Sequence, residues 1–159
     1  STLQLYRRFK MATNTLLQSL NGSDNQATTG SSNRRQVETF LASAAIAVND
    51  LVCLDLTKSS NSDIPLYITK ANRSAAATVV AVGFALNAAT AAGDEVRVTI
   101  AGIHESANVT AISAGDRLMA STVAGRAEAY TGSESVPIIA YACDDHTANV
   151  APVIVIKQI

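Results

Sequence analysis

The sequence predicts an all-β body, a compact barrel or sandwich, carried behind a basic N-terminal arm, and three observations support this. From Val37 onward the chain breaks into short β-prone runs separated by turn residues, at the roughly 8–12-residue spacing of sandwiches and barrels. Within those runs apolar and polar residues alternate, as where Val96, Val98 and Ile100 share one face and Glu95, Arg97 and Thr99 the other, the two-residue period of a strand. The first 36 residues have neither feature. At 159 residues and 16.5 kDa, the chain suits one domain with an appendage, divided here as arm and linker over 1–36 and β body over 37–159.

Taken in order, residues 2–20 (TLQLYRRFKMATNTLLQSL) are the best helix candidate, with Leu5, Phe9, Leu16, Leu17 and Leu20 roughly at helical spacing; the arm is expected to be extended or partly helical. Met11 opens a second plausible start, so residues 1–10 are native or upstream read-through. Residues 21–36 (NGSDNQATTGSSNRRQ) offer almost nothing to a core and read as a flexible linker. The strand candidates are 37–42, 46–56, 65–71, 77–86, 95–103, 116–121, 126–130, 137–143 and 151–158. The pairs Asn49-Asp50, Gly93-Asp94 and Gly115-Asp116 read as turns. In the last run Val153 and Val155 alternate with Ile154 and Ile156. Such a strand is buried on both faces or lies in an interface, and all four residues are assigned to an oligomer interface.

The body reads as two copies of one unit. At an offset of 57, GFALNAATAAGDEVRV (83–98) overlies AYACDDHTANVAPVIV (140–155), and at 66, AIAVNDLV (45–52) overlies AISAGDRL (111–118). The first copy holds a longer insert around 57–76.

Composition excludes several function classes. Apolar residues make up 48% and the net charge is −1, too apolar and too weakly charged for a disordered chain. No apolar run approaches the ~18 residues a spanning helix needs, no signal peptide is visible, and a pI near 6.1 gives no bulk attraction to nucleic acid; neither a membrane nor a nucleic acid is expected as partner. Charge is uneven: Arg7, Arg8, Lys10, Arg34 and Arg35 face only Asp24 in the first 35 residues, while the remainder is acidic, so the arm is expected to lie on something acidic. Cys53 and Cys143 sit in apolar runs without zinc-ligand spacing and read as buried free thiols, so the sequons at Asn21, Asn72 and Asn108 read as chance matches.

Chemistry is sparse. Asp144-Asp145-His146 is the one cluster that tempts a metal or acid–base reading, but it falls in a loop, where short polar residues serve turns. There is no GxGxxG or GxxxxGK[ST] loop and no GxSxG elbow. No catalytic residue, metal ligand or cofactor site is assigned, and the chain is not read as an enzyme. The 28 Ala, 15 Ser, 15 Thr and 10 Asn suggest a body built to pack and to be covered, because small side chains lose little rotamer entropy on burial.

The segments AIAVNDLVCLD, VVAVGFALNAATAAGDEVRV, AISAGDRLMASTVAGRAEAY and IIAYACDDHTANVAPVIVI resemble the capsid decoration, or cement, proteins of tailed bacteriophages. That family has an "aI-x-x-GD-x-V" turn before a strand, a "GxAl" strand, and a closing "GdxvxVxi" strand. The resemblance covers about 37–159; Asn49 replaces the first glycine and Val150-Ala151 the last Gly-Asp. It implies a β-tulip-like barrel or sandwich body, usually trimeric, on the outside of the mature head, binding several major capsid subunits after the shell has expanded. It implies no catalytic residues. On this reading the arm contacts the capsid through Leu5, Tyr6, Arg7, Arg8, Phe9, Lys10, Leu16, Leu17, Leu20, Arg34 and Arg35. The partners are then the major capsid protein and further copies of the chain, in a virion assembled in the host cytoplasm. The second class left open is an attachment module that binds a glycan or receptor through the loops at 57–63 and 131–135.

Overall fold

A computed structural model describes residues 35–74, 79–132, 135–146 and 149–158. Contacts divide the chain into units 1–34 and 35–159. The helix expected at 2–20 and the arm residues Leu5 to Arg34 lie outside the described residues.

Every one of the nine runs becomes a strand. They are β1 (Arg35–Ala42), β2 (Leu51–Leu54), β3 (Tyr67–Lys70), β4 (Ala81–Ala85), β5 (Glu95–Val109), β6 (Arg117–Ala120), β7 (Ala127–Ala129), β8 (Ala140–Ala142) and β9 (Asn149–Val155). The body is all-β, and the strands close into two rings that share β5. In the first, β1 pairs with β3, β3 with β2, β2 with β4, β4 with β5, and β5 returns to β1. In the second, β5 pairs with β7, β7 with β6, β6 with β8, β8 with β9, and β9 returns to β5. Closure leaves neither ring with a free sheet edge, which removes the usual template for unwanted strand pairing.

The rings are copies of each other down to their backbone hydrogen bonds. In the first, Asn49 N–H donates to Ala85 O at 2.8 Å and Ala85 N–H to Asp50 O at 2.9 Å; in the second, Gly115 N–H donates to Ala142 O at 2.9 Å and Ala142 N–H to Asp116 O at 2.9 Å. The isolated bridges Ile46–Ala89 and Ile112–His146 match in the same way. These equivalences reproduce both sequence offsets. The closing strand departs from them: Ala85 faces Val98, whereas Ala142 faces Val153, so Val153 corresponds to Val98 and not to Val96. The second hairpin loop is two residues shorter, and because a strand repeats every two residues, the slip keeps the same side chains inward.

One turn recurs three times. Asp50 Oδ2 accepts the Ala47 N–H at 2.8 Å, Asp94 Oδ2 the Ala91 N–H at 3.0 Å, and Asp116 Oδ2 the Ser113 N–H at 2.8 Å. The residue before each aspartate has positive φ: Asn49 at 70°, Gly93 at 91° and Gly115 at 87°. That left-handed conformation favours Gly and tolerates Asn, which explains how Asn49 stands where the decoration-protein motif has Gly. Backbone N–H groups from Ala91 and Thr90 hold the Asp94 carboxyl below its usual range.

Each ring has its own core. Phe40, Ile46, Val52, Ile68, Val82 and Val98 fill the first. Ala107, Val109, Leu118, Ala127, Ile139 and Val153 fill the second, joined by Leu51, Cys53 and Phe84 from the outer side of β2 and β4. Alternate residues of β2 therefore belong to different cores, so the rings are packed against each other. Eleven of the described alanines are buried in these cores; much of the alanine content fills narrow barrels and does not lie on the covered outer surface expected of it.

Three sequence expectations are corrected. Strand β5 runs on to Val109, past the expected end at 103, because His104, Ala107 and Val109 turn inward around a bulge opposite β9. In β9, Val153 and Val155 are buried in the chain's own core and Ile154 is exposed; one face is buried, not two. Cys143 is exposed while Cys53 is buried, because Cys143 continues the in–out alternation of Ala140, Tyr141 and Ala142 on the outward side. Burial, with the nearby Asp55 carboxylate, pushes the Cys53 thiol up to about 11. A native maleimide titration should therefore label Cys143 fast and Cys53 only on unfolding; equal rates for both thiols would contradict the placement of Cys143.

Candidate interaction surfaces

The densest polar grouping lies where the two rings meet. The turn before β2 delivers Asp50, which is buried. Its carboxylate also accepts from Asn108 Nδ2 at 2.8 Å and faces Lys70 Nζ at 3.3 Å. Gly125 closes over it: a Cβ there would stand 2.8 Å from Asp50 Cγ, and its φ is +78°. Backbone bonds complete the seam, with Leu51 N–H donating to Gly125 O at 2.7 Å, Gly125 N–H to Ala71 O at 2.9 Å and Asn108 N–H to Asn49 O at 3.0 Å. Arg73 pairs with Glu128 across the same junction. Replacing Asp50 by Ala strands these donors inside the seam and should cost about 2 kcal/mol, read as a lower urea midpoint; an unchanged midpoint would contradict its role.

His104, the buried histidine of β5, stacks on Phe84 with ring centroids 5.4 Å apart. Its Nε2 lies 3.2 Å from Asn49 Oδ1 and its Nδ1 lies 3.0 Å from Thr99 Oγ1. An amide oxygen only accepts, so with the amide oriented this way Nε2 carries the proton and Nδ1 accepts from the threonine hydroxyl. Burial and the Arg35 charge lower its pKa to about 4. Beside it an open depression of about 140 Å³ is lined by Arg35, Asn49, Leu86, His104, Glu105 and Ser106. Both ring nitrogens are engaged, so His104 pins the turn before β2 to β4 and β5.

The Asp144-Asp145-His146 cluster is spent on its own loop and on the facing Ile112–Ala114 segment. Asp145 Oδ1 accepts the Ala114 N–H at 2.7 Å, Asp144 Oδ1 accepts the Asp145 N–H at 2.8 Å, and the backbone of His146 forms the bridge to Ile112. Among the described residues no group of three His, Cys, Asp or Glu side chains is placed to hold a metal ion. Of the arm residues assigned to capsid contact, Arg35 is described and starts β1 opposite Gly102.

The sequence reasoning placed Ile154 at an interface but missed its neighbours. Across the outside of the second ring, register aligns Arg117 with Tyr141, Tyr141 with Ile154, and Ile154 with Ile103. Tyr141 and Ile154 are both exposed, a paired aromatic and aliphatic on an open face. Leu56 and Leu66 are exposed in the segment joining β2 to β3, where Lys58 Nζ sits 4.2 Å from the Tyr67 ring centroid. The signal that could have found Tyr141 was its alternation with Ala140 and Ala142.

No protein-family profile matches the chain, and no curated protein matches it. Among solved structures it is similar to the head fiber gp8.5 N base of bacteriophage phi29, at 14% identity and a TM-score of 0.49, over 78% of this chain and 96% of that one. Among the described residues the polar seam around Asp50 is internally satisfied, whereas Tyr141 and Ile154 stand exposed on the outside of the second ring. The seam stabilises the two-ring body; the exposed pair is available for contact.

Proposed function

We propose that this chain is a capsid decoration protein of a tailed bacteriophage. It binds the outside of the mature head, ties neighbouring major capsid subunits together and catalyses no reaction. One observation carries the reading: the motifs on which the resemblance rests coincide with the unit that the fold repeats. The Asn49-Asp50 and Gly115-Asp116 turns are superimposable in their hydrogen bonds, and the Phe84 and Tyr141 strands follow them in equivalent registers. A protein that binds only the expanded lattice stabilises that lattice by mass action. Several arms held by one oligomer, a trimer on the family pattern, turn modest contacts into avidity.

The sequence of the arm assigns it much of the affinity. Burying its apolar residues against a capsid subunit contributes several kcal/mol at about 25 cal/mol per Å², less the ordering cost, whereas each exposed ion pair adds about 0–1 kcal/mol. Replacing Leu16, Leu17 and Leu20 by Ser should therefore weaken head binding more than replacing Arg7, Arg8 and Lys10 by Gln at physiological salt, measured by co-sedimentation. The reverse order would make the arm an electrostatic tether. Copy number in purified virions tests the reading as a whole: a number comparable with that of the major capsid protein supports a clamp, and a few copies confined to a vertex or the tail contradict it.

A further inference from the structure

Three aspartates make the same turn, and Asp50 carries more than the turn requires. Asp94 and Asp116 accept N–H groups of their own loops without being buried. Asp50 is 5% exposed, and the backbone of Gly125 lies so close over its carboxylate that a Cβ would clash. Two side chains from different parts of the fold end on that carboxylate. Lys70 Nζ, from the end of β3 in the first ring, lies 3.3 Å from Oδ2. Asn108 Nδ2, from the part of β5 that pairs with β9 in the second ring, lies 2.8 Å from Oδ1. Oδ2 also accepts the Ala47 N–H at 2.8 Å, Asn108 Nδ2 stands 3.5 Å from Val48 O, and the Asn108 N–H is fixed to Asn49 O at 3.0 Å. One buried carboxylate therefore bridges an amine and a carboxamide. Two reactants and a proton carrier held in one place are what amide transfer requires.

We propose that Lys70 and Asn108 join in an intramolecular isopeptide bond, formed after folding, with Asp50 as the proton carrier. A proton passes from the Lys70 ammonium to Oδ2, leaving a neutral amine that attacks Asn108 Cγ. The Nζ–Cγ bond forms and the Cγ–Nδ2 bond breaks. The carboxyl gives its proton to Nδ2, which already faces Oδ1, and takes up the second proton that Nζ sheds. That proton follows the departing ammonia, so the nitrogen leaves as ammonium and Asp50 ends as the carboxylate it began as. No oxidant or other co-reactant is consumed. The new bond ties β3 of the first ring to the second half of β5 and closes the seam covalently. The inference does not rest on capsid binding, since it concerns the chain alone.

The intact mass of the purified full-length protein tests it. The folded chain should be lighter than its sequence by one ammonia. Trypsin should release residues 59–73 joined to 98–117, because an acylated Lys70 no longer directs cleavage. Lys70→Arg keeps a cation beside Asp50, and Asp50→Asn keeps the shape but cannot carry the proton; both should show their full mass, with circular dichroism reporting whether each is folded. If Asp50→Asn does not fold, the branched peptide and Lys70→Arg decide the matter. A parent protein at full mass, fresh and again after a month at neutral pH, overturns the proposal and leaves an ion pair and a hydrogen bond. So does an ammonia loss that persists in Lys70→Arg, or one confined to an unbranched asparagine peptide, which marks a succinimide.

Discussion

Replacing Gly83 by Ala should abolish native folding, or cost at least about 4 kcal/mol if the protein still folds. Gly83 sits in β4 opposite Val52, where the register shifts between Val52 and Cys53. A Cβ there would lie 1.9 Å from the carbonyl oxygen of Thr99 and 2.8 Å from its carbonyl carbon. Those atoms are backbone of β5, the strand shared by both rings, so relief requires parting β4 from β5 and not merely turning a side chain. Overpacking a core usually costs about 1–3 kcal/mol; a clash with fixed backbone belongs in the exceptional tail above that. The equivalent position in the second ring is Ala140, which already carries a Cβ and faces Val155 in an uninterrupted β8–β9 register. Urea denaturation of Gly83→Ala beside Ala140→Gly separates the cases: the first should be far below the parent and the second lower by about 1 kcal/mol, the usual cost of an unneeded glycine. Near-equal stabilities would mean that β4 can leave β5 without consequence.

His104 should make the body lose stability in mild acid. Its folded pKa is held near 4 by burial and by the Arg35 charge, against about 6.5 in an unfolded chain. Between those values the unfolded state takes up the proton and the folded state does not, so stability is complete above pH 6.5 and falls as pH drops toward 4. The loss from this one group between pH 7 and pH 4.5 comes to about 2–3 kcal/mol. Protonation also removes the acceptor at Nδ1 that Thr99 uses and places a cation beside Arg35. His104→Gln should be less stable at pH 7 but flatter with pH, and the difference between the two profiles isolates the histidine from the carboxylates. Parallel profiles would contradict a buried neutral imidazole.

The strands were legible in the sequence because period-two alternation and the Asn-Asp and Gly-Asp turns are local signals, and the duplication was legible because both copies keep them. Val96, Val98 and Ile100 point inward as their spacing requires. What local pattern could not convey was how segments distant in sequence close on one another. The stretch His104 to Val109 contains Glu105, Ser106 and Asn108 and looks like a loop, yet it is the spine of the second ring because β9 and β7 pair with it. His104 as a lone histidine gave no hint of its stack on Phe84, and Asp50 read as a turn residue although its carboxylate also anchors Asn108 and Lys70. Cys143 was assigned to the core from the apolar run around it, when the outward phase of Tyr141 already put it on the surface. The same phase marked Tyr141 as outward-facing, although its cross-strand pairing with Ile154 needed the fold.

The proposed role is tested most directly by co-sedimentation of the purified full-length protein with DNA-free heads of the phage to which that role assigns it, expanded and unexpanded side by side. The account predicts saturable binding to expanded heads, at a stoichiometry tied to the major capsid protein, and little or none to unexpanded ones. Binding to neither form, or equal binding to both, would contradict it.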